Sequence, residues 1–340
     1  MSRKATARDV ADLAGVSRSA VSLVLNGRAA GNISAEKQRA VIAAAQQLRY
    51  TPNAVALSLR SQRTRTLGVL SWPGRARLAQ VLLHTAWQRA HADHYLMLLM
   101  DTGGDPETER RQLDTLRDRQ VDGFLIIAPD MTEYEPPDVL LSVPAVLLNC
   151  VDAHAALTSV VPDEVGAGRL AAEALLAHGH RTVGLLVGDE AAPQTRLRVR
   201  GVQQAFTAAG LSTPAPVDAG TAIDAGYRAA RQLLLEPDRP TSLICTQERL
   251  AVGAVLAAAD LHLSIPGALS VVSLEDGEEL AGSLVPTLTT VHRPDAAMAE
   301  QAVDLLVERL AAEEPPEVRQ LLFSCQLRTR SSVAVPASGR

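Results

Sequence analysis

The stretch "ATARDVADLAGVSRSAVSLVLNG", residues 5–27, decides how the N-terminal part of this 340-residue chain folds. Thr6 is placed to cap a first short helix, with Asp9 at the position of a capping-box acid. Gly15 ends that helix, and Ser17 is placed to cap a second one. Two short helices around a glycine-containing turn are typical of the helix-turn-helix shape.

A third helix is expected from Ser34 to about Arg49, which makes residues 1–50 an all-α unit. The alternative to a DNA-binding helix-turn-helix is a purely structural three-helix bundle without a DNA partner. The core-facing positions are expected to be Val10, Leu13 and Ala14 in the first helix and Val41, Ile42, Ala45 and Leu48 in the third.

Charge is distributed unevenly along the chain. Residues 1–65 contain eleven Lys and Arg and three Asp and Glu, a formal charge of +8, although the whole chain carries −5. A basic head on an acidic body is typical of a domain that meets nucleic-acid phosphates. The second helix of a helix-turn-helix enters the major groove by its N-terminal residues. Here those residues are small, polar or basic, namely Ser17, Arg18, Ser19 and Ser22.

Three segments carry a resemblance to a known family: "DVADLAGVSRSAVSLVLNG" (9–27), "YTPNAVALSLRS" (50–61) and "GVLSW" (68–72). Together they are similar to the lactose-repressor/galactose-repressor (LacI/GalR) family of bacterial transcription regulators. The resemblance implies a DNA-binding regulator, expected to be a repressor, that binds a near-palindromic operator as a homodimer. It also implies control by a small-molecule effector.

The resemblance gives residues 51–65 the role of a hinge helix and linker that orders on DNA. Leu59 matches the family leucine that enters the minor groove at the centre of the site, between Ala56 and Arg60. Such an apolar wedge unstacks a base step, at a cost of a few kcal/mol, and bends the duplex. A plain linker helix is the alternative. The DNA-contacting positions implied by the resemblance are Thr6, Ser17, Arg18, Ser19, Ser22, Leu23, Asn26, Tyr50, Asn53, Ala56, Leu59 and Arg60.

Leu23 departs from the family pattern, which commonly has Arg at this place in the motif. Leu23 cannot donate a hydrogen bond, but it can touch a thymine methyl group. The base preference read at this position is therefore expected to be unusual.

Beyond residue 65, short apolar runs alternate with helical patterns. The runs with strand character are "TLGVLSW", "HYLMLLM", "VDGFLIIAP", "PAVLLNC", "TSVVP", "TVGLLVG", "SLICT" and "ALSVVSL". Helical patterns lie at 106–119, 164–178, 198–209, 222–235 and 247–260. This alternation predicts parallel α/β sheets covered on both faces. The strands are too many for one small sheet, so two doubly wound lobes are expected, with a cleft at the carboxyl ends of their strands.

The resemblance implies the same architecture for residues 66–340, a periplasmic-binding-protein-like pair of lobes. Three connections between the lobes are expected near 161–163, 288–293 and 323–328. The first lobe is expected at about 66–162 and 291–325, and the second at about 163–288.

The resemblance assigns effector-binding positions, although most of them depart from the family pattern. Glu275 and Asn149 stand where the family usually has Asp, and Gln247 stands where it has Asn. The loop that contains Trp72 and Arg75 replaces the family's Asn-Pro-Phe-Phe, with Trp72 as the expected stacking surface, and Asp163 follows a crossing strand and faces the mouth of the cleft. Arg198 matches the arginine that clamps the effector from the second lobe, and its fork of donors suits a hydroxyl pair or a carboxylate. A structural ion pair is the alternative for Arg198. The family implies a sugar, and Arg75, Arg77 and Arg198 also permit an anionic or phosphorylated metabolite.

Enzyme signatures are weak. The segment "GAGRLA" at 166–171 fits the dinucleotide pattern G-x-G-x-x-A, but Asp163 is a better helix cap, which places both glycines inside a helix. The chain contains no G-x-S-x-G, Walker or H-E-x-x-H motif. His84, His91 and His94 are interpreted as surface histidines rather than metal ligands. We therefore expect no enzyme activity and no cofactor or metal.

Cys150, Cys245 and Cys325 are expected to be buried thiols of a cytoplasmic protein. The N-terminal residues lack the apolar core of a secretory signal, and no apolar run is long enough for a bilayer. A C-terminal heptad run is lacking, so no tetramer through a coiled coil is expected. The rival function is a cytosolic small-molecule binding protein or enzyme with a non-functional head. Such a protein would lack the steep salt dependence of a true DNA binder.

Overall fold

A computed structural model of the chain describes residues 5–25, 29, 31–50, 63–72, 77–277, 279–314 and 316–337. The chain separates into two compact units, Met1–Arg65 (the head) and Thr66–Arg340 (the body). The expected hinge helix lies outside the described residues, and so do the positions Asn26, Asn53, Ala56, Leu59, Arg60 and Arg75. Within the described ranges, no helix is long and apolar enough to cross a membrane.

The head contains the expected helix-turn-helix and third helix. Its helices are α1 (Ala7–Ala14), α2 (Arg18–Leu25) and α3 (Ala35–Gln47). The capping box is confirmed, because the Thr6 N–H donates to an Asp9 carboxylate oxygen at 2.7 Å and the Asp9 N–H donates back to the Thr6 hydroxyl. Gly15 follows α1 with a φ of 63°, in the left-handed region that glycine adopts without strain.

The core of the head differs from the expectation at two positions. Leu13 is 48% exposed and Ile42 is 46% exposed. Ile42 follows the buried Val41, and successive residues of a helix point about 100° apart, so Ile42 is turned away from the core. The buried residues are Val10, Ala11, Val21, Val41, Ala44 and Ala45.

The strands and helices of the body follow the predicted alternation. The strands are β1 (Thr66–Ser71), β2 (Leu96–Asp101), β3 (Gly123–Tyr134), β4 (Ala145–Asp152), β5 (Thr158–Pro162), β6 (Val183–Val187), β7 (Pro216–Asp218), β8 (Ser242–Cys245), β9 (Ser270–Ser273), β10 (Thr289–His292), β11 (Gln320–Phe323) and β12 (Gln326–Arg328). The helices are α4 (Arg77–Ala92), α5 (Pro106–Asp118), α6 (Asp138–Leu141), α7 (Glu164–Ala177), α8 (Pro193–Ala208), α9 (Ile223–Leu234), α10 (Glu248–Asp260), α11 (Glu279–Ser283) and α12 (Asp295–Ala311).

These strands form two six-stranded sheets, which confirms the doubly wound α/β fold. The order of the first sheet is β11-β5-β4-β3-β1-β2, and that of the second is β12-β10-β9-β8-β6-β7. Neighbouring strands are parallel except for β12, which runs antiparallel to β10. Polar groups that follow β3, β4, β8 and β9 therefore gather at the carboxyl ends of the sheets.

The chain passes between the two sheets three times, after β5, after β10 and after β11. The second passage lies at the end of the expected stretch 288–293, because Thr289 and Thr290 pair with β9 and residues 290–292 pair with β12, both in the second sheet. The first lobe, which was expected to resume at about 291, resumes with α12. A four-residue strand does not carry enough pattern to say which of two sheets it joins.

Helix α8 also begins earlier than the predicted 198. Pro193 occupies its first turn, where the missing N–H has no cost and the fixed φ favours a helix start. The extension places Gln194 at the end of the second lobe that faces the first, and its side-chain oxygen accepts from the Met131 N–H at 3.3 Å.

Candidate DNA-reading head and effector cleft

The N-terminal end of α2 presents the residues predicted to read DNA. The Ser17 hydroxyl accepts from the Ala20 N–H at 3.1 Å, which confirms its capping role. Ser17, Arg18 and Ser19 are all exposed, while Val21 anchors the same helix in the core of the head. The helix is thus held by one face and offers polar groups at its N-terminus, as a recognition helix requires.

The other described head positions are less exposed. Ser22 and Leu23 are half-buried, and Tyr50 packs against the core of the head. Thr6 is exposed, and its hydroxyl lies 2.7 Å from the Asp9 carboxylate. A DNA contact by the Thr6 side chain would compete with the capping box that starts α1.

In the body, Arg198 is fully buried and bound within the chain. Its Nε and Nη2 donate to the two carboxylate oxygens of Glu164 at 2.6 and 3.1 Å. Its Nη1 donates to the Thr246 carbonyl at 2.6 Å and to Glu275 at 3.0 Å. In this structure Arg198 therefore forms a buried ion pair, which was the alternative to effector binding, and its side chain has no exposed surface.

A second buried arginine, Arg293, continues these contacts to the first lobe. Its Nη2 donates to Asn149 at 3.1 Å and to Asp295 at 2.8 Å, and its Nη1 lies 3.6 Å from Glu164. We call the connected residues Asn149, Glu164, Arg198, Thr246, Glu275, Arg293 and Asp295 the cleft network. It joins the carboxyl ends of β4 in the first sheet to those of β8 and β9 in the second.

Asn149 is positioned by its backbone as well as its side chain. Its φ of 60° is left-handed, a region that Asn tolerates better than most residues. Its amide nitrogen donates to the Ala128 carbonyl at 3.0 Å, so the amide oxygen turns toward Arg293.

The charges of the cleft network stabilise one another. Burial alone lowers the pKa of Arg198, but the Glu164 and Glu275 carboxylates more than offset it and raise that pKa above its ordinary value. For Arg293, burial is likewise outweighed by Asp295 and then Glu164, so its pKa is raised. Both guanidinium groups therefore stay charged inside the protein.

The loops after β8 and β9 hold the remaining polar groups. Glu275 accepts from the Glu248 N–H at 3.3 Å as well as from Arg198. The Glu248 carboxylate accepts from the Gly277 and Ala281 N–H groups, and burial raises its pKa despite these bonds. The Gln247 side-chain oxygen is buried without a hydrogen-bond partner. An unpaired buried acceptor is costly, so this oxygen marks a place where a ligand donor would stabilise the protein.

Trp72 and Asp163 have partners of their own. Trp72 stacks on Tyr134, with ring centroids 6.0 Å apart, and belongs to the core of the first lobe. Asp163 caps α7 by accepting from the Gly166 N–H at 2.8 Å, which confirms the predicted cap. The structure therefore brings Arg198, Glu275 and, through Arg293, Asn149 together, whereas Trp72 and Asp163 serve local contacts.

Gly168, in the segment "GAGRLA", lets α7 and α8 approach each other closely. Gly166 and Gly168 lie inside α7, as the alternative interpretation predicted. A Cβ on Gly168 would lie 2.9 Å from the carbonyl carbon of Arg198 and closer still to its oxygen. A Cβ on Gly201 would collide with the Val165 carbonyl in the same way. This close approach places Arg198 on α8 next to Glu164 on α7.

Sequence reasoning missed Glu164, Thr246, Arg293 and Asp295. A usable signal was present for Arg293, which stands in the expected crossing "LTTVHRP" immediately after an apolar strand. Charged residues that follow a crossing strand are candidates for the floor of a cleft. Within the described residues, no group of His, Cys, Asp and Glu could hold a metal ion.

A helix-turn-helix head and a two-sheet α/β body with polar groups at its strand ends define a class of protein, the ligand-controlled DNA-binding regulators. Residues 6–53 match the model of bacterial regulatory proteins of the lacI family, and residues 172–333 match a periplasmic binding protein-like domain.

Individual proteins agree with these matches. The chain is 31% identical over 340 residues to the HTH-type transcriptional repressor PurR of Klebsiella pneumoniae (strain 342), covering 97% of each chain. A lac repressor dimer bound to operator and the anti-inducer ONPF superposes with a TM-score of 0.78 at 24% identity, over 98% of this chain and all of that one. A LacI-family regulator from Enterococcus faecium with bound ribose has a TM-score of 0.66 at 21% identity, over 80% of this chain and 100% of that one.

The chain belongs to the LacI family of bacterial regulatory proteins. It is a DNA-binding transcriptional repressor with an effector-binding domain.

Proposed function

We propose that this repressor binds a near-palindromic operator as a homodimer, with α2 in the major groove of each half-site. The observation that carries the proposal is the surface of the head. Ser17, Arg18 and Ser19 are exposed at the capped start of α2, within a segment of formal charge +8. Ser22, Leu23, Thr6 and Tyr50 would add base and phosphate contacts around them.

The centre of the operator is assigned to the hinge segment 51–65. In this proposal Leu59 enters the minor groove with Ala56 and Arg60 beside it, and Asn26 and Asn53 are further DNA-binding positions. A helix of about ten residues is marginal alone, so it would order only on DNA and against its twin.

Exposed apolar side chains on the first lobe support a dimer. Strand β2 is one of the two edge strands of the first sheet, and its Leu96 and Leu99 are 60% and 55% exposed. On the adjacent helix α4, Val81 and Trp87 are also exposed. An open sheet edge with large apolar side chains is a surface that proteins normally cover.

The effector is assigned to the cleft between the lobes, where the cleft network and Gln247 lie. The solved relative with bound ribose favours a sugar or a related metabolite. A ligand that changes the angle between the lobes would move the two hinge segments of a dimer relative to each other. Ligand occupancy and operator affinity would then be coupled.

Selection of bound sequences from random DNA, with purified full-length protein, tests the operator. A two-fold symmetric motif with a flexible pyrimidine–purine step at its centre is expected. Affinity for the selected site should fall steeply as salt is raised, because phosphate contacts release counterions. A folded protein that enriches no motif at low salt would contradict the proposal and favour a binding protein with a non-functional head.

Leu59→Ala tests the wedge separately. Specific affinity is expected to fall by on the order of tenfold or more, because the shorter side chain cannot hold the duplex bent against the protein. Leu235→Ala is the matched control, because Leu235 is an exposed leucine of the body. Equal operator affinities for both variants would refute the hinge assignment while leaving the head intact.

A further inference from the structure

The carboxylate of Glu164 already occupies the buried guanidinium group of Arg198 in the way that a ligand would. Its bidentate contact with Glu164, at 2.6 and 3.1 Å, is the fork geometry in which arginine binds a carboxylate or a phosphate. The side chains of both residues have no exposed surface. An anionic group on a ligand could reach Arg198 only by displacing Glu164.

The charges around this pair also disfavour an anion. The ionised side chains of the cleft network are Arg198 and Arg293 against Glu164, Glu275 and Asp295, a formal charge of −1. The neighbouring Asp276 is bound by Arg328 and Arg330 at 2.9 and 3.1 Å, and this group of formal charge +1 balances the network. A phosphate or carboxylate beside Arg198 would therefore add unbalanced negative charge next to Glu164 and Glu275, in a site shielded from water where repulsion is strong.

Among the described residues of the cleft, the groups left to meet a ligand are the Gln247 and Glu275 oxygens and the Arg293 Nη1, which forms no hydrogen bond. The Gln247 side-chain oxygen is buried and has no hydrogen-bond partner. Glu275 keeps 20% of its side chain exposed, and its second oxygen accepts only the long 3.3 Å bond from the Glu248 N–H among the described contacts. Oxygen acceptors of this kind bind the O–H group of a hydroxyl or the N–H group of an amine.

We propose that Glu164 is a built-in anionic ligand of Arg198, so that the cleft selects an uncharged, hydroxyl-rich effector and rejects carboxylates and phosphates. The inference rests on the proposed function, which places the effector between the lobes. It makes Glu164 a specificity-determining residue, and it removes Arg198 from the groups that would favour a phosphorylated metabolite.

Chemical rescue of the variant Glu164→Ala tests the proposal. Removing the carboxylate leaves Arg198 with a vacant fork, which acetate can fill. Acetate is expected to raise the Tm of this variant, by about 3–6 °C at a tenfold excess over its dissociation constant. Wild-type protein should gain no more from acetate than from chloride at equal ionic strength.

Glu173→Ala is the matched control, because Glu173 is an exposed acid on the same helix and pairs with Arg169 at the surface. Equal acetate effects on Glu164→Ala, Glu173→Ala and wild type would overturn the proposal. So would the absence of any acetate effect on a folded Glu164→Ala variant.

A measurement on wild-type protein keeps the proposal falsifiable if Glu164→Ala does not fold. Inorganic phosphate should stabilise wild type no more than it stabilises Arg198→Lys under the same conditions. A phosphate-specific rise in Tm that Arg198→Lys abolishes would overturn the proposal. Operator binding by the same wild-type preparation is scored separately, so failure of the DNA-binding function and failure of the Glu164 assignment give different results.

Discussion

Replacing Gly168 by Ala tests how α7 and α8 position the cleft network. The added Cβ would lie 2.9 Å from the carbonyl carbon of Arg198, whereas ordinary contact begins at 3.4 Å. The colliding atoms are backbone and cannot rotate away, so the helices must separate by more than about 0.5 Å. That movement stretches the 2.6 and 3.1 Å hydrogen bonds between Arg198 and Glu164.

The net cost follows from two opposing effects. Overpacking of a core contact costs about 1–3 kcal/mol, and a backbone collision belongs at the upper end. Alanine regains about 1 kcal/mol of helix propensity over glycine. Gly168→Ala is therefore expected to lower the free energy of unfolding by about 2 kcal/mol, and Tm by about 4–8 °C for a unit of this size.

Urea and thermal unfolding of the full chain measure this cost, with Gly282→Ala as the matched control. Gly282 also lies in a helix, but a Cβ there would meet no heavy atom within 4 Å. The control should be as stable as wild type or slightly more stable. A Gly168→Ala variant as stable as the control would refute the close-packing argument.

Two further predictions concern buried polar groups. Burial holds the pKa of His180 below its ordinary 6.5, so its neutral ring contributes stability that is complete above pH 6.5 and is lost as pH falls through the folded-state pKa. His180→Asn should therefore reduce the slope with which the free energy of unfolding falls below pH 6.5, by at most about 1.4 kcal/mol per pH unit. His154→Asn is the exposed control and should leave that slope unchanged. Parallel pH profiles for the two variants would contradict the prediction. Arg198→Met should lower the free energy of unfolding, measured in urea, by about 3–5 kcal/mol. Among the described residues, the buried Glu164 carboxylate would then keep Arg293, at 3.6 Å, as its remaining positively charged neighbour. The double variant Arg198→Met/Glu164→Leu should recover much of that loss, and simple addition of the two single effects would contradict the buried-pair argument.

Local chemistry made the head predictable from sequence. The capping box of Thr6 and Asp9, the left-handed Gly15 and the Ser17 cap each depend on residues within three or four positions, so the pattern alone identifies them. The errors at Leu13 and Ile42 arose because apolar character was taken for burial. A three-helix core of this size cannot bury every apolar side chain.

The cleft was less predictable because its contacts join distant parts of the chain. Arg198 lies 34 residues from Glu164 and 77 from Glu275 along the sequence. The resemblance identified Arg198 as important, but its carboxylate partner is a neighbour only because Gly168 and Gly201 let two helices approach closely.

The sequence by itself determined the helix-turn-helix, the alternation of strands and helices and the two lobes, and its motifs carried the resemblance to the family. The helix-turn-helix and the alternation depend on short-range periodicity, caps and turn residues, whose physics acts between near neighbours. Only the tertiary structure decided that β10 joins the second sheet and that Arg293 links Asn149 to Glu164. It alone showed that the fork of Arg198 is filled by the chain itself, because the partners of a buried charge are set by how distant segments pack.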